Sequence, residues 1–184
     1  MPIVLTAALF LNSCKKDVPG CTNILSDNYN SSATVDDGSC YKYGCIDVES
    51  ENYNISATID DGSCIFPYEK FMGAYNCQET YTSSTCGSGT DQYSVVITKG
   101  AGNRDIIISG LGGGFGPIEC KILGTSNFYN TETDYIQSPV GYFDVYIQNA
   151  SYSNGVIIMN YQAFDFEYSN NCSMLEASVQ MTKQ

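Results

Sequence analysis

The sequence predicts a mainly β protein: two small disulfide-closed repeats followed by one antiparallel domain, either a closed barrel or a sandwich. Three observations carry this. A cysteine-bounded block ending in Asp-Asp-Gly-Ser-Cys occurs twice, 24 residues apart. Beyond it, short apolar and aromatic runs recur roughly every ten residues, separated by Gly, Asn, Ser or Pro and without helical periodicity. The 15 Tyr and 17 Gly, with no Trp, suit strands and turns better than helices.

Composition narrows the functions. A chain of 184 residues holds one ordinary domain and a smaller appendage, and 43% hydrophobic residues suffice for a core. Only 15% are charged, so much of the surface is neutral and polar. With 20 Asp+Glu against 8 Lys+Arg the formal net charge is −12. That leaves no basic footprint for nucleic acid. The absence of histidine removes the Ser-His-Asp and Cys-His constellations and histidine-rich zinc sites together. No nucleophile motif replaces them, and the chain is expected not to be an enzyme.

At the N-terminus, Ile3 to Leu11 is an apolar run of signal-peptide length, too short to span a bilayer as a helix. Residues 1–13 are assigned to a signal peptide and 14–19 to a tether. Leu11-Asn12-Ser13-Cys14 resembles a bacterial lipobox, and Lys15-Lys16-Asp17 resembles the charged tether of Bacteroidetes surface lipoproteins. The resemblance implies cleavage before Cys14, lipidation of that cysteine, and a lipid-anchored place at the outer membrane or cell surface. The other reading is an ordinary secretory signal with Cys14 in a disulfide. Nine cysteines leave one over, and setting Cys14 aside leaves eight for pairing. So many cysteines would be unusual in a reducing cytoplasm.

The repeats occupy 20–43 and 44–67. Gly20-Cys21, Asn28-Tyr29-Asn30 and Asp36-Asp37-Gly38-Ser39-Cys40 align without a gap on Gly44-Cys45, Asn52-Tyr53-Asn54 and Asp60-Asp61-Gly62-Ser63-Cys64. Each unit has too few apolar residues to fold on its own core. Bonds Cys21–Cys40 and Cys45–Cys64 are the simplest pairing, each closing a loop worth roughly 3 kcal/mol in the chain-entropy model; other connectivities stay open. Asn23, Asp36, Asp37, Asp47, Asp60 and Asp61 offer oxygens beside a glycine turn. Two readings stand. In one they are calcium ligands, although the spacing is not that of an EF-hand. In the other they bond backbone N–H groups and cap turns. The blocks resemble tandem repeats of secreted Bacteroidetes surface proteins, which implies a spacer or adhesion role and no chemistry.

Residues 68–184 form the β domain. Strands are expected at Phe71–Gln78, Gln92–Thr98, Asp105–Ser109, Ile118–Leu123, Tyr142–Gln148, Val156–Tyr161, Ala163–Tyr168 and Leu175–Met181. Phe143, Val145 and Ile147 would face one side, with Tyr142, Asp144, Tyr146 and Gln148 on the other. Gly110 to Gly116 lacks the Gly-Lys-Ser/Thr ending of a phosphate loop and reads as a flexible connection. Asp134, Asp144, Asp165 and Glu167 read as surface or rim acids rather than a catalytic pair.

Phe71-Met72-Gly73-Ala74-Tyr75 with Cys77, Tyr93 to Lys99, Ile106 to Phe115, and the closing Cys172 to Gln184 resemble small lipocalin-like domains of Bacteroidetes lipoproteins. The resemblance implies an up-and-down barrel in which a cysteine near the first strand pairs with Cys172. Cys77, Cys86, Cys120 and Cys172 are accordingly expected to pair among themselves. The expected function is a non-catalytic surface lipoprotein, the repeats a spacer and the β domain a binding or structural module. Its partners would be the membrane, through the lipid, and a small ligand, a glycan or a protein. A small secreted enzyme or enzyme inhibitor on the same scaffold is the alternative.

Overall fold

The computed structural model describes residues 16–83, 87–130, 135–138, 141–165 and 174–184, with backbone alone at 135–138, 141–142 and 165. The segment 1–13, Cys14, Cys86, Asp134, Glu167, Cys172 and the side chains of Tyr142 and Asp165 lie outside this description. Among the described residues no helix is long and apolar enough to cross a membrane. The chain divides into two compact units. One holds the residues up to Ile46 together with Asn54–Gly62; the other holds Asp47–Tyr53 and Ser63–Gln184.

The repeats are built from very short parallel pairs. β1 (Pro19–Gly20) pairs β2 (Val35–Asp36), and β3 (Tyr43–Gly44) pairs β4 (Ile59–Asp60). The shared letters explain the shared geometry. Thr34 donates its N–H to Val18 O at 2.8 Å while its hydroxyl accepts from Val18 N at 2.9 Å. Thr58 does the same with Lys42 at 2.9 and 3.0 Å. Glycine fits before each first cysteine, because a Cβ at Gly20 would lie a tight 3.0 Å from Asn30 Nδ2 and one at Gly44 3.1 Å from Asn54 Nδ2. Asn28 closes its loop by donating to Ser39 O at 2.6 Å and accepting from Tyr41 N at 2.9 Å. Asn52 repeats this with Ser63 O and Ile65 N at 2.6 and 2.8 Å.

Cys21 and Cys40 are disulfide-bonded with Cα atoms 4.7 Å apart. Cys45 and Cys64 are also disulfide-bonded and make the second of the two bridges in this region. Ile24, Leu25, Val48 and Ile55 stay exposed, so apolar burial contributes little here.

The β domain is a closed up-and-down barrel of eight antiparallel positions, not a sandwich. A one-turn helix, α1 (Tyr68–Phe71), precedes β5 (Gly73–Ser83), β6 (Gly87–Lys99), β7 (Asp105–Ser109), β8 (Ile118–Leu123), β9 (Asn127–Asn130), β10 (Tyr135–Ser138), β11 (Gly141–Ser153), β12 (Val156–Asp165) and β13 (Leu175–Lys183). From β5 to β9 and from β10 to β13 each strand pairs with the next, β9 also pairs β11, and β13 returns to β5. β9 and β10 share one position: β10 pairs the first residues of β11, while Asn127 of β9 pairs Ser151 near its end. Between them the Asn130 amide acts as a rung, donating to Val145 O at 2.6 Å and accepting from Ile147 N at 3.0 Å.

The expected bounds of β7 and β8 agree with the structure, and three expectations change. Val156–Tyr161 and the described part of Ala163–Tyr168, up to Asp165, run together in β12, since Gln162 points outward and leaves the alternation unbroken. β9 and β10 have too few apolar residues to stand out. Phe71 sits in α1 rather than in the first strand. Phe143, Val145 and Ile147 share one face as expected, and that face is the interior; a register shift between Ile147 and Asn149 then brings Ala150 inside.

Inward side chains form one contiguous core. Phe71 plugs one end, fully buried, with its ring 5.6 Å from that of Phe128 and 5.2 Å from that of Tyr152. Val95, Ile106, Ile108, Ile157, Met159 and Met181 fill the middle, each fully buried.

The expected pairing among Cys77, Cys86, Cys120 and Cys172 is corrected for two members. Cys77 and Cys120 are free, buried thiols. They stand on β5 and β8, three strand spacings or about 14 Å apart along the wall, whereas a disulfide needs Cα atoms within about 7 Å. Burial raises the Cys77 pKa to about 11 and pushes Cys120 further still. Both act as small core residues rather than nucleophiles.

Candidate functional site

At the barrel end opposite α1 the core turns polar. Glu79 continues the inward phase of β5 after Tyr75 and Cys77 and is only 5% exposed. An unpartnered carboxylate there would be costly. It is held by two phenols: Tyr93 on β6 donates a short hydrogen bond to Glu79 Oε2, and Tyr161 on β12 donates to the same atom at 3.0 Å. Burial raises the Glu79 pKa above its ordinary value, and the two phenol hydrogen bonds oppose that shift. Both phenols are pushed up, first by burial and then by the Glu79 charge. Asp91, directly opposite Glu79 in the register, adds a like charge at the rim.

The stretch Gly110 to Gly116, expected as a flexible connection, is an ordered cover over this cluster. Leu111 opens a 3-10 turn and is fully buried. Gly112 has φ 61°, and a Cβ there would lie 2.5 Å from Phe115 Cε2. Its backbone hydrogen-bonds the Tyr93 phenol. Phe115 packs at 5.3 Å on Phe143 and 6.3 Å on Tyr161. Chemically the cluster binds β5, β6 and β12 together and can store a proton.

Among the described residues, three concave features lie on the outer wall. One of about 370 Å³ is lined by Gln78, Thr80, Thr90, Gln92, Ser178 and Gln180, with Glu79 and Asp91 at its margin. A second of about 290 Å³ runs over Thr80, Thr82, Gln148, Asn160, Glu176 and Ser178. A third of about 410 Å³ is lined by Tyr146, Phe164, Gln148 and Gln162, with Asp144 and Ile147 beneath. Asp144, expected on the face opposite Phe143, Val145 and Ile147, is buried at 8% exposure.

The oxygens named as calcium candidates serve turns. Asn23 Oδ1 accepts from Leu25 N at 3.0 Å, Asp36 Oδ1 from Gly38 N at 3.0 Å, and Asp37 Oδ1 from Ser39 N at 3.0 Å. Asp47 Oδ1 accepts from Glu49 N at 2.8 Å and Asp60 Oδ1 from Gly62 N at 3.1 Å. Hydrogen bonds from Ser39, side chain and then backbone, lower the Asp37 pKa. Among the described residues, Asp61 included, no three acidic or cysteine side chains converge on one point.

Sequence reasoning missed Glu79, Tyr93 and Tyr161 as a group, although a signal was present. Extending the period of two from Tyr75 and Cys77 by one step places Glu79 inside; the expected strand stopped at Gln78 because Glu79 to Ser83 is polar. No protein family model matches the chain, and no curated protein shows significant similarity to it.

Proposed function

We propose that the chain is a non-catalytic surface module, anchored by a lipid on Cys14, with the repeats as spacer and the barrel as the part that binds. The observation carrying the binding half is the division of the barrel: its interior is filled by buried side chains, while concave polar ground lies on its outer wall. A small apolar ligand in the lumen would have to displace packed residues such as Val95 and Met159. Glu79, a deeply buried acid with a raised pKa, is bound to two phenols, an arrangement suited to holding strands. The acidic loops serve as turn caps in this reading, without calcium.

The anchor rests on the lipobox-like Leu11 to Cys14 stretch. Since Cys77 and Cys120 are thiols, the odd cysteine count no longer argues for lipidation by itself. Intact-mass spectrometry of the protein from its native membrane tests the proposal. The expected result is an acylated chain beginning at Cys14, with Cys77 and Cys120 alkylated by iodoacetamide after denaturation without reductant. An unacylated chain running through Cys14 would remove the anchor and leave a freely secreted binding module.

A further inference from the structure

We infer that the outer wall across β11, β12, β13, β5 and β6 is a groove for an uncharged glycan chain; this rests on the reading that the barrel binds on its outside. The register stacks like residues side by side. Gln180, Gln78 and Gln92 form one row across three strands. Asn160, Ser178, Thr80 and Thr90 form the next. Tyr146, Gln162, Glu176 and Thr82 form a third. Five neighbouring strands span about 19 Å, and the three concavities follow one another along that width.

The chemistry of the rows selects the ligand. Amides and hydroxyls both donate and accept, as the hydroxyls around a sugar ring require. No Lys or Arg lines the concavities among the described residues, which disfavours anionic polymers. The exposed acids are few: Glu176 is engaged by Gln162 at 2.9 Å, and Asp91 lies at the rim. Of the 20 acids in the chain, four line the three concavities, Glu79 and Asp144 among them buried, so the wall carries a modest negative charge. At its far end Tyr146 and Phe164 meet edge to face with ring centroids 5.7 Å apart, and Tyr146 is exposed. Such a wall offers an apolar platform to the C–H face of a sugar. The rows across β13, β5 and β6 hold no aromatic, Met or Arg anchor of the kind protein interfaces use. At the centre of the wall β12 and β13 are flanked by a strand on both sides, so a partner cannot join there by strand addition.

Affinity electrophoresis of the full chain in gels containing xyloglucan, galactomannan, dextran or polygalacturonate tests the inference. At least one neutral polymer should retard the protein. Tyr146→Ala, and Gln78→Glu combined with Gln92→Glu, should each weaken that retardation by about tenfold or more with melting temperature unchanged. Retardation surviving both variants would place binding elsewhere and overturn the groove. Retardation by polygalacturonate alone, or by no polymer, would overturn the uncharged-glycan class. A dimer dissolved by the same variants would put a second copy on this wall and overturn it as well. The outer-wall reading itself fails on a different result, saturable uptake of an apolar probe by the lumen.

Discussion

In the repeats the groups that carry order are backbone hydrogen bonds, side-chain amides, Asp and Asn turns and a covalent bridge; the large aliphatic side chains point into water. In the barrel the proportions reverse. Phe71, Ile97, Ile108 and Met181 are fully buried, and two cysteines stay reduced within the core. One chain thus uses cysteine in two ways. Where about two dozen residues cannot build a core, the thiol closes a loop and restricts the unfolded chain. Where more than a hundred residues enclose a lumen, the thiol fills space like a small apolar side chain. Cysteine count alone therefore does not predict bridges; the ability of the surrounding segment to bury apolar surface does.

Five variants sharpen or break this contrast. Phe71→Ala should cost the barrel about 3–5 kcal/mol in urea unfolding, because it removes the aromatic plug against Phe128 and Tyr152. A loss well under 1 kcal/mol would mean that the end of the barrel collapses around other residues. Replacing Cys21 and Cys40 together by Ser should cost roughly 3 kcal/mol within the first repeat. Hydrogen exchange at residues 18–41 should then quicken by about a hundredfold, with barrel amides unchanged; equal acceleration in the barrel would refute separate origins of order.

Glu79→Ala should destabilise by about 1–3 kcal/mol, leaving the Tyr93 and Tyr161 hydroxyls without their acceptor. Its pH dependence is the finer test. Because the folded-state pKa of Glu79 is raised, the folded chain holds this proton more tightly than the unfolded chain. The stabilisation is fully present below the unfolded value near about 4.3 and is lost as pH rises through the folded value. Wild type should therefore gain on Glu79→Gln as pH falls through that window, read from urea midpoints. Parallel curves would show that Glu79 is not held as described. The smallest effect is expected for Asn28→Ala, about 1 kcal/mol, seen as faster exchange of the Tyr41 amide that Asn28 Oδ1 accepts.

The parts of the fold legible in the sequence were those set by short-range pattern. Ile106 to Ile108 announced a strand, and Phe143, Val145 and Ile147 their common face. The duplicated blocks announced two equivalent loops. Barrel against sandwich stayed open because closure depends on the return of β13 to β5, a pairing of distant segments that leaves no local mark. The Glu79 cluster was hidden for a related reason: three strands contribute one residue each, and only the register brings them together. The glycine-rich stretch was read as slack because its order comes from Leu111 entering the barrel and Phe115 folding back, again tertiary facts. The outer wall was equally invisible, since rows of Gln and Thr form only when strands align.

The most direct test of the central claim, a filled lumen with binding on the outside, is fluorescence titration of the purified chain with cis-parinaric acid. The packed interior predicts no saturable, one-to-one uptake, and no change when Val95 is replaced by Trp. Saturable uptake abolished by Val95→Trp would contradict the account and make the lumen the binding site.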